Sequence, residues 1–312
     1  MKKVELNATV SCVSLFGKRL DQVLSILFKE YSRSYLKKLI IMNQVFINEN
    51  IINIPDKKIL GGERITIQFF LKELQYDLPE NIFLNIIYED NDILIINKPA
   101  GLVVHPGAGH KKGTILNALL HYNENIKSVP RAGIIHRLDK DTTGLMVIAK
   151  NIFSYNYLFK LLQDRKITRK YQGIVKGNMI SGGTINKPIM RHPFKRTCMF
   201  AHASGKYAIT HYKIIAHFKS YTHISIQLET GRTHQIRAHM LYINHPLIGD
   251  SHYGGTKNCL HLRENKKNNK KYIFSRQALH AHYLSFRHPV RQNIMSWTIP
   301  LPEDMKELIL KL

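Results

Sequence analysis

The stretch HRLDKDTTG, at residues 136–144, decides how this chain is interpreted, and it runs directly into the apolar LMVIA at residues 145–149. Three side chains that are or can become cationic flank Asp139 within it. Neighbouring positive charge favours the ionised carboxylate, which suits a nucleophile or a group that stabilises charge. The same charge attracts phosphates, so the stretch predicts a carboxylate at work in a nucleic-acid-binding cleft. The simpler alternative is a charged turn that leads into a buried strand.

The composition indicates a soluble protein of one large or two ordinary domains. Its 312 residues are 44% hydrophobic, enough for a substantial core, and no apolar run has the length of a bilayer span. No apolar signal core follows the basic N-terminus, so we expect a cytoplasmic protein. The net charge of +24 favours a polyanionic partner. A membrane surface would need a basic amphipathic helix with a spare apolar face, and we find none. A/T-biased codon usage also contributes to the charge.

The cysteines and histidines predict neither a disulfide framework nor a metal site. Cys12, Cys198 and Cys259 are odd in number, widely spaced and free of any C-x-x-C pair, which fits a reducing compartment. His280 and His282 would share one face of a strand, but two ligands do not make a metal site. We therefore expect no metal.

Residues 1–75 are predicted to form a small domain of their own. Leu20, Val23, Leu24, Leu27 and Phe28 follow the spacing of a helix with one apolar stripe. A second helix, capped by Ser32 or Ser34, follows, and strands are expected at 45–47 and 65–67. Two basic helices followed by short strands resemble the S4 RNA-binding domain. The resemblance implies RNA contacts through Arg19, Arg33, Lys37 and Lys38.

Residues 76–312 are predicted to form a second domain after a polar linker at 72–82. Strands are expected at 84–88, 93–96, 169–175, 212–215 and 224–228, with a helix at 152–163 and another that Thr233 caps. Many closely spaced strands with few helices between them predict an α+β fold, built on a mostly antiparallel mixed sheet with flanking helices. The Lys- and Asn-rich segment 257–271 is interpreted as an exposed loop.

Three motifs that are distant in sequence resemble one enzyme family. They are HRLDKDTTG, the R-K-Y that ends at Tyr171, and ETGRTHQIRAHM at residues 229–240. With the K-P-x-G-L pattern at 98–102, which is expected to brace the site, they resemble the pseudouridine synthases of ribosomal RNA. Thr143 stands where many members have Ser. The resemblance covers nearly the whole chain and is strongest to a subgroup that acts on large-subunit rRNA. It implies an rRNA or pre-ribosomal partner and, most specifically, helix 69.

The resemblance also implies roles for particular residues. Asp139 would attack or stabilise the nucleotide, and Arg237 would hold it ionised and oriented. Tyr171 would remove the C5 proton, stack on the uracil, or do both. A duplex-bound uridine must be extruded, and Arg137 would fill the vacated space. Substrate contacts are further expected from Ile226, Leu228, Arg232 and His234. The reaction involves no redox change or energy input, so we expect no nucleotide or other cofactor, and we expect a monomer.

Two alternatives remain at this point. The chain could be an RNA-binding protein with an inactive second domain, although Asp139, Tyr171 and Arg237 are all retained. It could also be a glycoside or nucleotide hydrolase that uses Asp139 and Asp141 as an acid pair. A hydrolase needs one protonated acid, which the neighbouring cations disfavour.

Overall fold

The computed structural model describes residues 2–28, 31, 33–71, 78–107, 109–254, 260–263 and 271–312. In it the chain forms two units, Met1–Gln75 and Tyr76–Leu312. Across the ranges described, no helix combines the length and apolarity that a membrane crossing requires.

The first unit packs two helices against a four-stranded sheet of order β1-β4-β2-β3. The elements are β1 (Lys2–Thr9), α1 (Leu20–Leu27), α2 (Arg33–Ile41), β2 (Val45–Ile47), β3 (Asn50–Ile51) and β4 (Arg64–Leu71). The predicted stripe of α1 is correct, because Leu20, Val23 and Leu24 are fully buried. Strand β1 was not predicted, although Val4, Leu6 and Ala8 alternate with polar residues. It pairs with β4 along its whole length. The predicted cap Ser32 lies outside the described residues.

The second unit is built on a nine-stranded sheet of order β5-β6-β7-β16-β8-β13-β12-β9, with β17 added beside β16. The strands of this unit are β5 (Ile86–Glu89), β6 (Ile93–Lys98), β7 (Thr143–Ala149), β8 (Thr168–Lys176), β9 (Gly183–Asn186), β10 (Ile189–Arg191), β11 (Met199–Ala201), β12 (Ile209–Phe218), β13 (Tyr221–Leu228), β14 (Leu260–Arg263), β15 (Lys271–Phe274), β16 (Leu279–Arg287) and β17 (Ile294–Thr298). Within the sheet only β7 and β16 pair in parallel. The prediction of a mostly antiparallel mixed sheet is confirmed.

Four helices of the second unit flank this sheet. They are α3 (Ile115–Tyr122), α4 (Ile152–Gln163), α5 (Gln235–Tyr242) and α6 (Glu303–Lys311). The prediction for α4 is confirmed, whereas α3 and α6 were not predicted. The predicted cap of α5 is wrong, since His234 is the N-cap, with a left-handed φ of 52°, and makes no side-chain capping bond. Left-handed backbone at a non-glycine residue is uncommon, and His234 adopts it inside the predicted ETGRTHQIRAHM motif.

Strand β7 is buried on both faces, which explains its unbroken apolar sequence. Met146 and Ile148 enter a hydrophobic cluster with α3 and α5. Leu145, Val147 and Ala149 enter a second cluster with α4. The HRLDKDTTG segment is therefore fastened at its end by a strand with apolar contacts on both sides.

The prediction of a plain loop at 257–271 is wrong in the part that the structure describes. There, β14 and β15 pair as antiparallel strands. The alternation of Leu260 and Leu262 is the sequence signal that the abundance of Lys and Asn concealed.

Candidate active site

Asp139 and Arg237 are brought together at the floor of a cavity in the second unit. Arg237 Nη1 donates to Asp139 Oδ2 at 3.1 Å, across 98 residues of sequence. The other side of the same guanidinium is bidentate to Asp250, with Nε–Oδ2 at 2.6 Å and Nη2–Oδ1 at 2.9 Å. Asp250 is 1% exposed and also accepts from the backbone N–H groups of His252 and Tyr253. A bidentate pair fixes the guanidinium plane, so Asp250 orients Arg237 towards Asp139.

Electrostatics keeps Arg237 charged in this position. Burial by itself lowers the pKa of Arg237, but the hydrogen bonds and charges of Asp250 and Asp139 outweigh it, and the net pKa is raised. The guanidinium also lies over the Tyr253 ring, 4.8 Å from its centroid. A fixed cation beside Asp139 favours the ionised carboxylate.

His234 also approaches the carboxylate, with Nε2 3.8 Å from Asp139 Oδ1. Its Nδ1 lies 2.9 Å from the hydroxyl of Tyr253. Burial lowers the pKa of His234; Asp139 opposes this and Arg237 adds to it. The imidazole is thus neutral at neutral pH, and Arg237 is the cation that faces Asp139.

The backbone after Asp139 is braced by a buried lysine of the K-P-x-G-L motif. Lys98 is fully buried, and its Nζ donates to the carbonyls of Pro99, Leu102 and Lys140 at 2.7, 2.9 and 2.7 Å. Burial lowers the pKa of Lys98 to about 7, with Asp141 and Asp139 opposing the shift. The expected bracing role agrees with this geometry.

The next three residues of the loop are held by one short segment, residues 276–280. The contacts are Arg276 Nη1 to the Asp141 carbonyl at 3.2 Å, Gln277 Nε2 to Thr142 Oγ1 at 3.1 Å, and His280 Nδ1 with Thr143 Oγ1 at 2.8 Å. At Gly144, with φ of 121°, a Cβ would collide with the Ala281 carbonyl. Through its contact with His280, the hydroxyl of Thr143 helps to hold the loop. A serine would provide the same hydroxyl.

The cavity above Asp139 has a volume of about 780 Å³ and a strongly cationic wall. Its arginines are Arg131, Arg137, Arg165, Arg169, Arg232 and Arg237, against the two carboxylates Asp139 and Glu229. Glu229 is already bound to His211 and Arg165. The volume is large enough for a nucleotide, and the charge suits its phosphates.

Tyr171 lines this cavity and is 5% exposed. Burial raises the pKa of Tyr171; Arg169 counteracts the shift and Asp139 adds to it. The phenol is therefore neutral at rest, with the buried guanidinium of Arg169 as its nearest source of positive charge. The Nε of Arg169 has no hydrogen-bond partner among the described residues.

Most of the predicted substrate contacts line the cavity, namely Arg137, Leu228, Arg232 and His234. Ile226 does not line it. This side chain is fully buried and lies beside Tyr171 as its antiparallel neighbour, so it supports the tyrosine from within the core. Asp141 does not line the cavity either, which removes the acid pair that a hydrolase would need.

One electrostatic expectation was wrong. His136 is not one of the cations around Asp139, because burial and the charge of Arg169 lower the pKa of His136 to about 3. Its Nε2 accepts from the backbone N–H of Val147. The guanidinium that pairs with Asp139 comes from helix α5, not from a neighbour in sequence.

In the first unit, Arg19 and Arg33 both bind the buried carboxylate of Asp21, at 3.1 and 2.7 Å. Their side chains remain 44% and 48% exposed. Lys37 and Lys38 lie on the exposed side of α2, as predicted. Contact of these four cations with RNA stays a prediction.

Sequence reasoning gave no role to Asp250, Arg169 or Arg276. They lie in the short segments HPLIGD at 245–250, R-K-Y at 169–171 and RQALHA at 276–281. For Asp250 the available signal was an acidic residue directly after the apolar Leu247-Ile248, which is costly to bury unless it is paired.

An ionised carboxylate at the floor of an arginine-lined cavity, on a chain that also carries a small helix-and-sheet unit, defines an enzyme that acts on a polyanion. Comparison with known proteins specifies the class. Residues 92–242 match the family model of RNA pseudouridylate synthase, and residues 18–65 match the S4 domain. The chain belongs to the RNA pseudouridylate synthase family, with an N-terminal S4 domain.

The relatives extend over the whole chain. A protein of Buchnera aphidicola subsp. Acyrthosiphon pisum, named ribosomal large subunit pseudouridine synthase D, is 66% identical over 100% of both chains. The Escherichia coli K12 protein of the same name is 50% identical over 99% of this chain and 94% of its own length. The solved human RNA pseudouridylate synthase domain containing 1 covers 74% of this chain and 95% of its own, with a TM-score of 0.54 and 21% identity. It shows the shared fold.

Proposed function

We propose that this enzyme converts uridines of large-subunit ribosomal RNA to pseudouridine, in helix 69 and within free rRNA or a pre-ribosomal particle in the cytoplasm. The names of the full-length relatives support the large subunit as the source of the substrate. The net charge of +24 supports a polyanionic substrate. The helix 69 assignment rests on the resemblance of the motifs to one subgroup of the family.

The isomerisation of uridine to pseudouridine depends on a carboxylate more than on any other group of the site. The C1′–N1 bond of uridine breaks, the uracil turns while bound, a C1′–C5 bond forms, and the C5 proton leaves as N1 gains one. No electrons are exchanged with a partner. Asp139 carries the cleavage, either by attack on the nucleotide or by stabilising charge and assisting proton loss. Arg237, fixed by Asp250, pairs with the carboxylate and holds it in the lining of the cavity.

The target base has to leave its stack before it can reach Asp139. The cavity of about 780 Å³ has room for an extruded nucleotide. A base inside a duplex is not accessible to the carboxylate, so the uridine must be extruded or already unpaired. Arg137 lies on the cavity wall beside the catalytic carboxylate and, among the described residues, makes no ion pair. Its planar side chain is suited to occupy the space that the uridine vacates.

Tyr171 is assigned to the last step, in which the C5 proton is removed. Its phenol is neutral at rest, so its own proton must first leave, with N1 of the base as the group that gains a proton. The phenolate oxygen then takes the proton from C5, which returns the tyrosine to its neutral form. The charge of Arg169 stabilises a phenolate as it forms. Contact between the tyrosine ring and the uracil is compatible with this role and holds the base during rotation.

The observation that carries the proposal is the Asp139–Arg237–Asp250 arrangement at the floor of the cavity. The test incubates wild type and Asp139→Asn with large-subunit rRNA transcribed in vitro and maps carbodiimide-modified positions by reverse-transcription stops. Wild type should give stops in helix 69, and Asp139→Asn should give none. Asp164→Asn, an exposed carboxylate at the end of α4, is the matched control and should behave as wild type. Stops at wild-type rate from Asp139→Asn would disprove the assignment, and release of free uracil would indicate a hydrolase.

A further inference from the structure

A basic hairpin, residues 187–206, projects beside the active site and carries an unusual set of side chains. It contains β10 and β11 and has five cations, Lys187, Arg191, Lys195, Arg196 and Lys206, with no acidic residue. All five are exposed. Like charges on one two-stranded ribbon repel each other and do not stabilise the fold. The charge of the basic hairpin therefore indicates a polyanionic partner.

The two faces of the basic hairpin differ. Ile189 and Met199 pack inwards with Cys198 and Tyr253, which anchors the ribbon to the second unit. Alternation along the paired strands places Met190 and Phe200 on the opposite face. One face therefore belongs to the core of the unit, whereas Met190 and Phe200 on the other face stay partly exposed.

Aromatic rings gather along the basic hairpin and at its tip. The ring of Phe200 lies 5.1 Å from that of His192 and 5.4 Å from that of His202, and His192 lies 6.3 Å from Phe194. Phe194 is 90% exposed, so its ring is open to a ligand. Rings interleaved with cations are the combination that binds unpaired nucleotides, because the bases stack and the phosphates meet charge.

The tip is held in shape before any ligand arrives. His192 Nδ1 accepts from the backbone N–H groups of Phe194 and Lys195 at 3.2 and 3.1 Å. The Cys198 N–H donates to the Lys195 carbonyl at 2.8 Å. Phe194, Lys195 and Arg196 are thus presented from a closed turn, which lowers the entropy cost of binding.

A short chain of contacts connects the basic hairpin to the catalytic carboxylate. The Met199 N–H donates to the hydroxyl of Tyr253 at 2.7 Å. That hydroxyl lies 2.9 Å from His234 Nδ1, and His234 Nε2 lies 3.8 Å from Asp139. Nucleotides bound on the basic hairpin would therefore be those that flank the target uridine in the RNA chain.

We propose that the outer face and tip of the basic hairpin form a stacking surface for unpaired nucleotides that flank the target uridine. The partner is single-stranded RNA, and the proposal rests on RNA as the substrate. In this arrangement the cavity binds the extruded uridine, and the basic hairpin holds the opened strand beside it.

The test measures binding of a 12-nucleotide single strand and of its duplex by fluorescence anisotropy, with wild type, Phe194→Ala and the double variant Lys195→Gln/Arg196→Gln. Phe194→Ala should weaken single-strand binding on the order of tenfold, the loss typical for one stacked base, and should leave duplex binding unchanged. The double variant should lower the slope of log K against log salt by about 1.4, or about 0.7 for each lost phosphate contact.

The controls are Phe153→Ala, an exposed phenylalanine on α4, and Lys306→Gln on α6. Neither should change single-strand binding. Equal losses from Phe194→Ala and Phe153→Ala, or equal losses on single strand and duplex, would disprove the stacking surface. Variants that bind RNA normally but lose affinity only for the assembled large subunit would indicate a protein partner and would also disprove it. Pseudouridine formation by wild type, measured in parallel, tests the proposed function separately.

Discussion

The variant Asp250→Asn tests whether a buried carboxylate positions the catalytic arginine. It keeps the shape of the side chain and removes one of the two negative charges around Arg237. The Arg276–Asp304 pair provides a matched control, because it has the same two distances, 2.6 and 2.9 Å, as the Arg237–Asp250 pair. Asp304 is 45% exposed, however, whereas Asp250 is 1% exposed.

The difference in burial between Asp250 and Asp304 decides how much each substitution is expected to destabilise the protein. Removing one partner of a buried ion pair costs about 3–5 kcal/mol. We expect about 3 kcal/mol for Asp250→Asn, since the amide oxygen still accepts one bond and Arg237 keeps Asp139. For a unit of this size that corresponds to a fall of about 6–12 °C in the melting temperature. Asp304→Asn should cost below about 1 kcal/mol, because exposed pairs are solvated and screened.

Activity should respond together with stability. Without Asp250 the guanidinium is no longer held in one plane, and a small displacement of Asp139 can cost about 100-fold in rate. Calorimetric melting and single-turnover pseudouridine formation, measured below the melting temperature of the variant, give the two quantities. Equal melting shifts for Asp250→Asn and Asp304→Asn, or a wild-type rate for Asp250→Asn, would refute the reasoning.

Three further predictions concern other groups of the site. The pKa of Lys98 is lowered to about 7 in the folded protein, from about 10.5 in the unfolded chain, so between these pH values the unfolded chain binds more protons. The free energy of unfolding of wild type, minus that of Lys98→Met, should therefore rise by about 2 kcal/mol from pH 7 to 9 in urea titrations. A difference that does not change with pH would contradict the burial of the Lys98 amino group. Tyr171→Phe should keep RNA affinity and lose about 100-fold or more in single-turnover rate, as expected for a lost proton acceptor; a rate near wild type would leave the ring with a stacking role alone. Arg137→Ala should reduce modification of structured rRNA about tenfold more than that of an unpaired oligonucleotide, because only the first requires base extrusion; equal losses on both would count against Arg137 as the residue that fills the vacated space.

Local patterns in the sequence predicted several helices and strands of this protein and its family. The helix at 152–163 and the strands around Tyr171 and Leu228 follow from the spacing of apolar side chains, because burial of one face sets that spacing. The motif around Asp139 identified the family, since its combination of residue types is rare. Helices α3 and α6 were missed because their apolar residues stand in short segments without a long repeat.

Tertiary structure alone decided which charges face the carboxylate. His136, three residues before Asp139, is partly buried and has a pKa lowered to about 3, whereas Arg237 arrives from helix α5, 98 residues further along the chain. Sequence reasoning assigned no role to Asp250. The K-P-x-G-L pattern predicted a brace at the site, but not the three carbonyls that Lys98 holds. The physical reason is that hydrophobic burial acts on neighbouring residues in a strand or helix, whereas a charge acts through space and depends on how much water the fold leaves around it.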